Sequence, residues 1–114
     1  MVRRGEIWLA DTGDNLGSEV SFTRPVLVVQ ANAINRSSWK TVVVIGITSN
    51  LKYADIPGNV FIDRGEALLG RDSVVVCANL AAIDRSRFIQ KMTDLPELLM
   101  DQVEFGLSIA LDLK

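Results

Sequence analysis

Trp39-Lys40-Thr41-Val42-Val43-Val44-Ile45-Gly46-Ile47 is the stretch that decides the fold. It is dominated by β-branched residues, which pack well on a pleated surface and are stiff at χ1 in a helix. It is far too short to cross a membrane, which takes about 18 apolar residues. Thr48-Ser49-Asn50 ends it abruptly with small polar groups. The segment therefore reads as a buried central strand.

Outward from it toward the N-terminus, Asn32 to Ser38 is a turn-rich connection. Pro25 to Gln30 is a second, near-continuous apolar strand, with proline at its first residue, where its missing N–H disturbs no ladder. Asp11 to Thr23 carries Gly13 and Gly17 and no clear period. A loop of that length in so small a chain is usually functional or disordered. Glu6 to Ala10 reads as the first strand, stopped by the turn formers Asp11-Thr12-Gly13-Asp14-Asn15. On the C-terminal side, Gly58 to Ile62, Ser73 to Cys77 and Phe88 to Met92 read as further strands. The period then changes. Leu95, Leu98, Leu99, Val103, Leu107 and Leu111 recur at three- and four-residue spacing, the mark of an amphipathic helix. Asp94 with Glu97 predicts a capping box, with Pro96 in the first turn. The expected fold is mainly β with α (α+β): a small, strongly curved sheet or barrel closed by one helix, with residues 1–114 as a single domain.

The 114 residues are 48% hydrophobic and 23% charged, with a mean hydropathy of +0.24. That composition excludes disorder and leaves apolar surface for a partner. Arg3, Arg4 and Glu6 follow Met1 with no uninterrupted apolar run, so no signal peptide and a cytoplasmic address are expected. Cys77 is the single cysteine and sits within Val74-Val75-Val76-Cys77, which predicts a buried, inert thiol. The net charge of −2 opposes a strongly basic nucleic-acid binder, so any RNA contact has to rely on a local basic patch. The chain has no histidine. Imidazole zinc sites, His-dependent triads and paired-His acid–base chemistry are thereby excluded. An enzyme here works with Arg, Lys, Thr, Ser, Asp, Glu or Tyr.

One ordered series of short motifs spans nearly the whole chain. It begins with Arg4-Gly5-Glu6-Ile7-Trp8, Asp11 and Gly17-Ser18-Glu19, then runs through Arg24-Pro25-Val26-Leu27-Val28-Val29-Gln30 and Asn35-Arg36. It continues with Ile47-Thr48-Ser49-Asn50-Leu51-Lys52, Pro57-Gly58-Asn59-Val60, Asp72-Ser73-Val74 and Ile83-Asp84-Arg85-Ser86-Arg87. This order resembles the MazF/PemK (Kid-like) toxin endoribonucleases of type II toxin–antitoxin systems. The resemblance implies an SH3-like barrel of five to seven short strands with a C-terminal helix, a homodimer, and a cognate antitoxin. It implies metal-independent, sequence-selective cleavage of single-stranded RNA, with no cofactor and no metal. The RNA's own 2′-OH would attack the adjacent phosphate, leaving a 2′,3′-cyclic phosphate and a 5′-OH.

The resemblance also assigns residues. The family's arginine before proline matches Arg24, and its threonine at the end of the central strand matches Thr48. Its loop motif matches Gly17-Ser18-Glu19, which makes Ser18 and Glu19, with Ser49, Asn50 and Lys52, candidates for RNA binding or catalysis. Elementary chemistry supports the two principal assignments. In-line attack concentrates negative charge on the phosphate oxygens, and a planar guanidinium offers them two parallel donors. The Thr48 hydroxyl adds a neutral donor of the oxyanion-hole kind. Arg24 is expected to act as a transition-state clamp, since arginine is a poor proton shuttle. Glu19 is a candidate acceptor for the 2′-OH proton. The bland alternatives are a solvated surface arginine at a strand edge and a threonine that caps a turn. Arg3, Arg4, Lys52 and Arg71 are weighed as ordinary solvated charges or phosphate contacts, and Trp8 is expected in the core rather than as a stacking platform.

The chain departs from the family between Val76 and Asp84. Many members carry a charged residue around Val76 or Ala78, Gln at Asn79 and Arg-Thr at Ala81-Ala82. Two other functions are compatible with the same fold: a catalytically inactive SH3-like interaction module, and a toxin that inhibits gyrase by binding. The latter branch typically ends in a tryptophan, whereas this chain ends Leu113-Lys114.

Overall fold

The structure, a computed structural model, describes residues 1–13, 23–67 and 69–113. Six strands occur among the described residues: β1 Glu6–Asp11, β2 Thr23–Val28, β3 Thr41–Thr48, β4 Val60–Ile62, β5 Ser73–Asp84 and β6 Phe88–Asp94. A one-turn helix α1 spans Asn32–Asn35, inside the connection read as turn-rich, and α2 spans Glu97–Ala110. The strands form one antiparallel sheet in the order β4-β5-β3-β2-β1-β6. β3 is central, as its sequence requires. The sheet is a curled half-barrel whose edges are β4 and β6.

Why β2 and β3 read as continuous apolar runs is explained by two cores, one on each face of the sheet. Ile7, Leu27, Ile45, Ile47, Val75 and Cys77 point toward α2 and meet Leu95, Leu99, Met100 and Val103 there. Val26, Val28, Val42 and Val44 point the other way and pack with Val2, Ala10 and Ile83. Neighbouring residues go to opposite cores because strand side chains alternate with period two. Trp8 is half-buried against the second core and meets Phe88 edge to face, with ring centroids 5.7 Å apart. It is a packing residue, as expected.

Three local expectations are corrected. The strand read as Ser73 to Cys77 runs on to Asp84. Opposite β3 its register jumps from Ile47↔Val75 to Ile45↔Leu80, so extra residues bulge out near Val76–Asn79. Bulges bend a strand and increase its twist, and this one helps curl the sheet. The loss of β-branched residues after Val76 hid the continuation.

The capping box does not form. β6 carries its pairing through Asp94, which lies opposite Glu6, and the Asp94 carboxylate pairs with Lys91 at 3.1 Å. Pro96 is the N-cap residue and no side chain caps α2. Glu97 still favours the helix from its first turn, where a negative charge complements the dipole.

The helix face is also narrower than its leucine spacing suggests. Leu99 and Val103 are buried, whereas Leu98 is 78% exposed and Leu111 lies beyond the helix end and is exposed.

Candidate active site

β2 and β3 bring two residues from distant parts of the sequence to the same end of the sheet. Arg24 is the second residue of β2 and stands opposite Ala10 of β1. Thr48 is the last residue of β3 and stands opposite Val74 of β5. Between the two strands the register pairs Val26 with Gly46. Carried two residues further, that register sets Arg24 beside Thr48. Both line a cleft of about 420 Å³ together with Ser49, Arg71 and Ser73, against an apolar wall from Leu69 and Met92. Met92 belongs to β6 and Ser73 to β5, elements far apart in the strand order. They meet because the sheet curls.

Arg24 is not the solvated strand-edge arginine of the bland alternative. It is only 6% exposed, which holds the guanidinium in a defined position. Thr48 is also buried, and its hydroxyl oxygen accepts the Asn50 backbone N–H at 3.1 Å. The turn-capping role therefore exists, and it is compatible with catalysis, because an oxygen that accepts there still carries a proton for donation.

Ser49 lies in the cleft and is exposed. Asn50 and Lys52 do not line it. The Asn50 carboxamide oxygen accepts the Lys52 backbone N–H at 3.2 Å and caps the 3-10 turn Leu51–Asp55, while the Lys52 side chain is exposed. Ser18 and Glu19, like most of the Asp11–Thr23 loop, lie outside the described residues. Ala78, Asn79, Ala81 and Ala82 are not among the lining residues, so the departure from the family pattern falls outside this cleft.

Sequence reasoning gave no role to Ser73, Leu69 or Met92. Ser73 is buried, and its hydroxyl donates to the Arg71 carbonyl at 3.2 Å. Its only signal was membership of Asp72-Ser73-Val74. Leu69 and Met92 gave none, because their convergence depends on curvature.

Among the described residues the cleft is lined by two arginines and no carboxylate. In a chain with 14 acidic and 12 basic residues, that is a local reversal of the net charge. It suits a polyanionic ligand. No group of three or more His, Cys, Asp or Glu placed to hold a metal ion occurs among the described residues. A buried guanidinium and a neutral hydroxyl side by side can polarise a phosphodiester and stabilise the charge that builds up on its oxygens.

Arg4-Gly5-Glu6-Ile7-Trp8, by contrast, is structural. Glu6 is buried, and one carboxylate oxygen accepts both the Arg3 backbone N–H at 2.8 Å and the Trp8 indole N–H at 3.0 Å. The other pairs with Lys91 at 3.2 Å. Burial pushes the Glu6 pKa up, but the bonds from Trp8, Arg3 and Lys91 outweigh it and leave the carboxyl below its ordinary value. Arg4 pairs with Glu104 of α2 at 3.1 Å. The motif ties β1 to β6 and to the helix, and Arg3 and Arg4 take no part in the cleft.

The fold agrees with comparisons to known proteins. The chain is 38% identical over 113 residues to endoribonuclease MazF6 of Mycobacterium tuberculosis, covering 99% of each chain. It is equally similar to endoribonuclease EndoA of Bacillus subtilis, covering 99% of this chain and 97% of that one. Among solved structures it superposes on a mycobacterial endoribonuclease in complex with its cognate antitoxin, with a TM-score of 0.82 and 21% identity over 100% and 98% of the two chains. MazF of Deinococcus radiodurans superposes with a TM-score of 0.78 and 24% identity over 97% and 96%. The structural likenesses speak for the fold. The pattern of PemK-like, MazF-like toxins of type II toxin–antitoxin systems matches residues 3–111, and the chain is a member of that family.

Proposed function

We propose that residues 1–114 form one toxin domain, an endoribonuclease that cuts single-stranded RNA in the Arg24–Thr48 cleft. The observation that carries this is the placement of a buried arginine beside a buried threonine in a cleft whose described lining holds no carboxylate. The 2′-oxygen of the substrate attacks the adjacent phosphorus as the bond from phosphorus to the 5′-oxygen breaks. The 2′-OH proton passes to a base, for which Glu19 is the candidate, and the departing 5′-oxygen takes up a proton. Arg24 clamps the phosphoryl oxygens through paired N–H donors and Thr48 donates a third hydrogen bond. The nucleophile is part of the substrate, so the reaction needs no metal-bound water and no cofactor.

The toxin works as a homodimer, and its cognate antitoxin silences it by covering the cleft. The exposed apolar row Leu98, Phe105 and Ile109 on α2 supports the first statement. The second is supported by the cationic lining of the cleft, Arg24 and Arg71, which suits an acidic side chain that imitates the RNA phosphate.

Incubating the pure protein with a long RNA in excess EDTA tests the activity. Cleavage is expected to persist and to leave 5′-OH ends. Substrate with a 2′-O-methyl sugar at the cut site is expected to resist, and cutting there would rule out the cyclic-phosphate route. An RNA left intact under all conditions would favour a non-catalytic interaction module.

A further inference from the structure

We infer that Arg71 is a substrate-positioning residue that grips an RNA phosphate next to the scissile one. The inference rests on the cleft being the active site. Arg71 lines the same cleft as Arg24, Thr48 and Ser49, but its circumstances are opposite to those of Arg24. Arg24 is buried and Arg71 is exposed. A fixed guanidinium suits a transition state, whereas an exposed one reaches a flexible ligand from the rim.

Its backbone is nevertheless held. Gly70 has φ +82, a conformation that glycine adopts without strain, and it turns the chain into the start of β5. The Ser73 hydroxyl then holds the Arg71 carbonyl at 3.2 Å. Three residues beyond Arg71, Val74 pairs with Thr48. The turn thus fixes where the Arg71 side chain departs, a short way from the proposed reacting centre.

The neighbouring acid does not neutralise it. The Asp72 carboxylate accepts the Arg64 backbone N–H at 2.9 Å, and no ion pair to Arg71 occurs among the described residues. Arg24 and Arg71 place two guanidinium groups along one concave site. A nucleic-acid strand presents successive phosphates, one per nucleotide, so it satisfies two separated cations at once. With Arg24 on the phosphate that reacts, Arg71 meets a neighbour whose charge does not change during the reaction. Such a contact strengthens ground state and transition state equally, and its loss appears in KM and not in kcat.

The test is steady-state cleavage of a short single-stranded RNA with one cut site, using Arg71→Ala, Arg71→Lys and Arg24→Lys. Binding of the same RNA with a 2′-deoxy sugar at the cut site is measured in parallel. Arg71→Ala is expected to raise KM, and to weaken binding of the uncleavable strand, by roughly 10-fold, the scale of one charge-assisted hydrogen bond. Its kcat should change by less than about 2-fold. The slope of log binding constant against log salt should fall by about 0.7, the value for one phosphate on a single strand, and Arg71→Lys should restore it. Unchanged KM and binding would overturn the proposal, as would a fall in kcat at constant KM. Arg24→Lys guards the premise: if it leaves kcat intact, the cleft is not the active site, whatever Arg71 does.

Discussion

Gly106 of α2 lies directly over the backbone of Gly58, with no room for a side chain between them. A Cβ on Gly106 would overlap the Gly58 carbonyl oxygen and stand 2.7 Å from the Cys77 sulfur. Glycine inside a helix ordinarily costs up to about 1 kcal/mol relative to alanine, so Gly→Ala there normally stabilises. Here the sign reverses. Gly106→Ala forces α2 away from β5 and from the segment before β4, and the strain of over-packing exceeds the propensity gain, for a net loss of about 1–3 kcal/mol. Urea denaturation measures it. A variant as stable as the parent would show that the helix docks more loosely than these contacts imply.

The Glu6 network makes stability depend on acid in a defined direction. The Glu6 pKa is lowered from its ordinary 4.5, so its contribution is complete above that value and is lost as pH falls through the lower folded value. Lys91, whose pKa is raised from 10.5 by Asp94 and Glu6, contributes fully below that value and loses its contribution as pH rises through the higher folded one. Glu6→Gln keeps an acceptor for the Arg3 and Trp8 N–H groups but removes the charge. It should cost about 1 kcal/mol at pH 7 and flatten the acid limb of the stability profile. An acid limb as steep as that of the parent would place the controlling carboxylate elsewhere.

Arg4-Gly5-Glu6-Ile7-Trp8 shows where the sequence was legible and where it was not. Strand positions came through clearly because β-branched runs and turn formers are local signals, and all six strands have a counterpart in the sequence. β5 was cut short because its bulge interrupts the pattern at Ala78. Arg24 and Thr48 were singled out through the ordered motifs, yet nothing in the sequence showed that Arg24 is buried or that Glu6 anchors β1. Those facts depend on sheet curvature, as does the arrival of Met92 and Leu69 in the cleft. Asn50 and Lys52 were drawn in by proximity to Thr48 in sequence, and the 3-10 turn takes them out of the cleft.

Cys77 faces the underside of α2, 1% exposed, and burial pushes its thiol up to about 11. Thiolate is the reactive form, so the native protein should resist a thiol reagent at pH 8 and react fully once unfolded in guanidinium. Fast labelling of the native protein would mean that α2 opens on the timescale of the reaction, and would weaken the account of Gly106.

The outer face of α2 predicts the assembly. Leu98, Phe105 and Ile109 lie on one side of the helix, and Phe105 lines a cleft of about 380 Å³ with Gly58, Asn59 and Val60 beside edge strand β4. A dimer through this face would cover apolar surface that a lone subunit leaves in water. Light scattering at micromolar concentration should give twice the chain mass, and Phe105→Glu should give a folded monomer. A parent protein that is monomeric there would defeat the assignment, and a dimeric Phe105→Glu would move the interface elsewhere.

Arg24 carries the sharpest prediction, because its burial couples activity to stability. A solvated arginine would tolerate truncation, but Arg24 is 6% exposed, so Arg24→Ala empties packed space as well as removing a charge. It should lose cleavage by about 10²-fold or more and also melt at a lower temperature. Arg24→Lys separates the two effects. It keeps the charge and most of the volume but cannot present two parallel donors to one phosphate. Its melting temperature should lie closer to the parent's while kcat stays depressed. Thr48→Val offers a matched comparison, preserving shape while deleting the hydroxyl. Its loss should be smaller, about 10- to 10³-fold, since a neutral donor stabilises less charge than a guanidinium. Circular dichroism, melting curves and single-turnover rates on the same samples decide the matter. Parent-like kcat in a folded Arg24→Lys would return this arginine to a purely structural role.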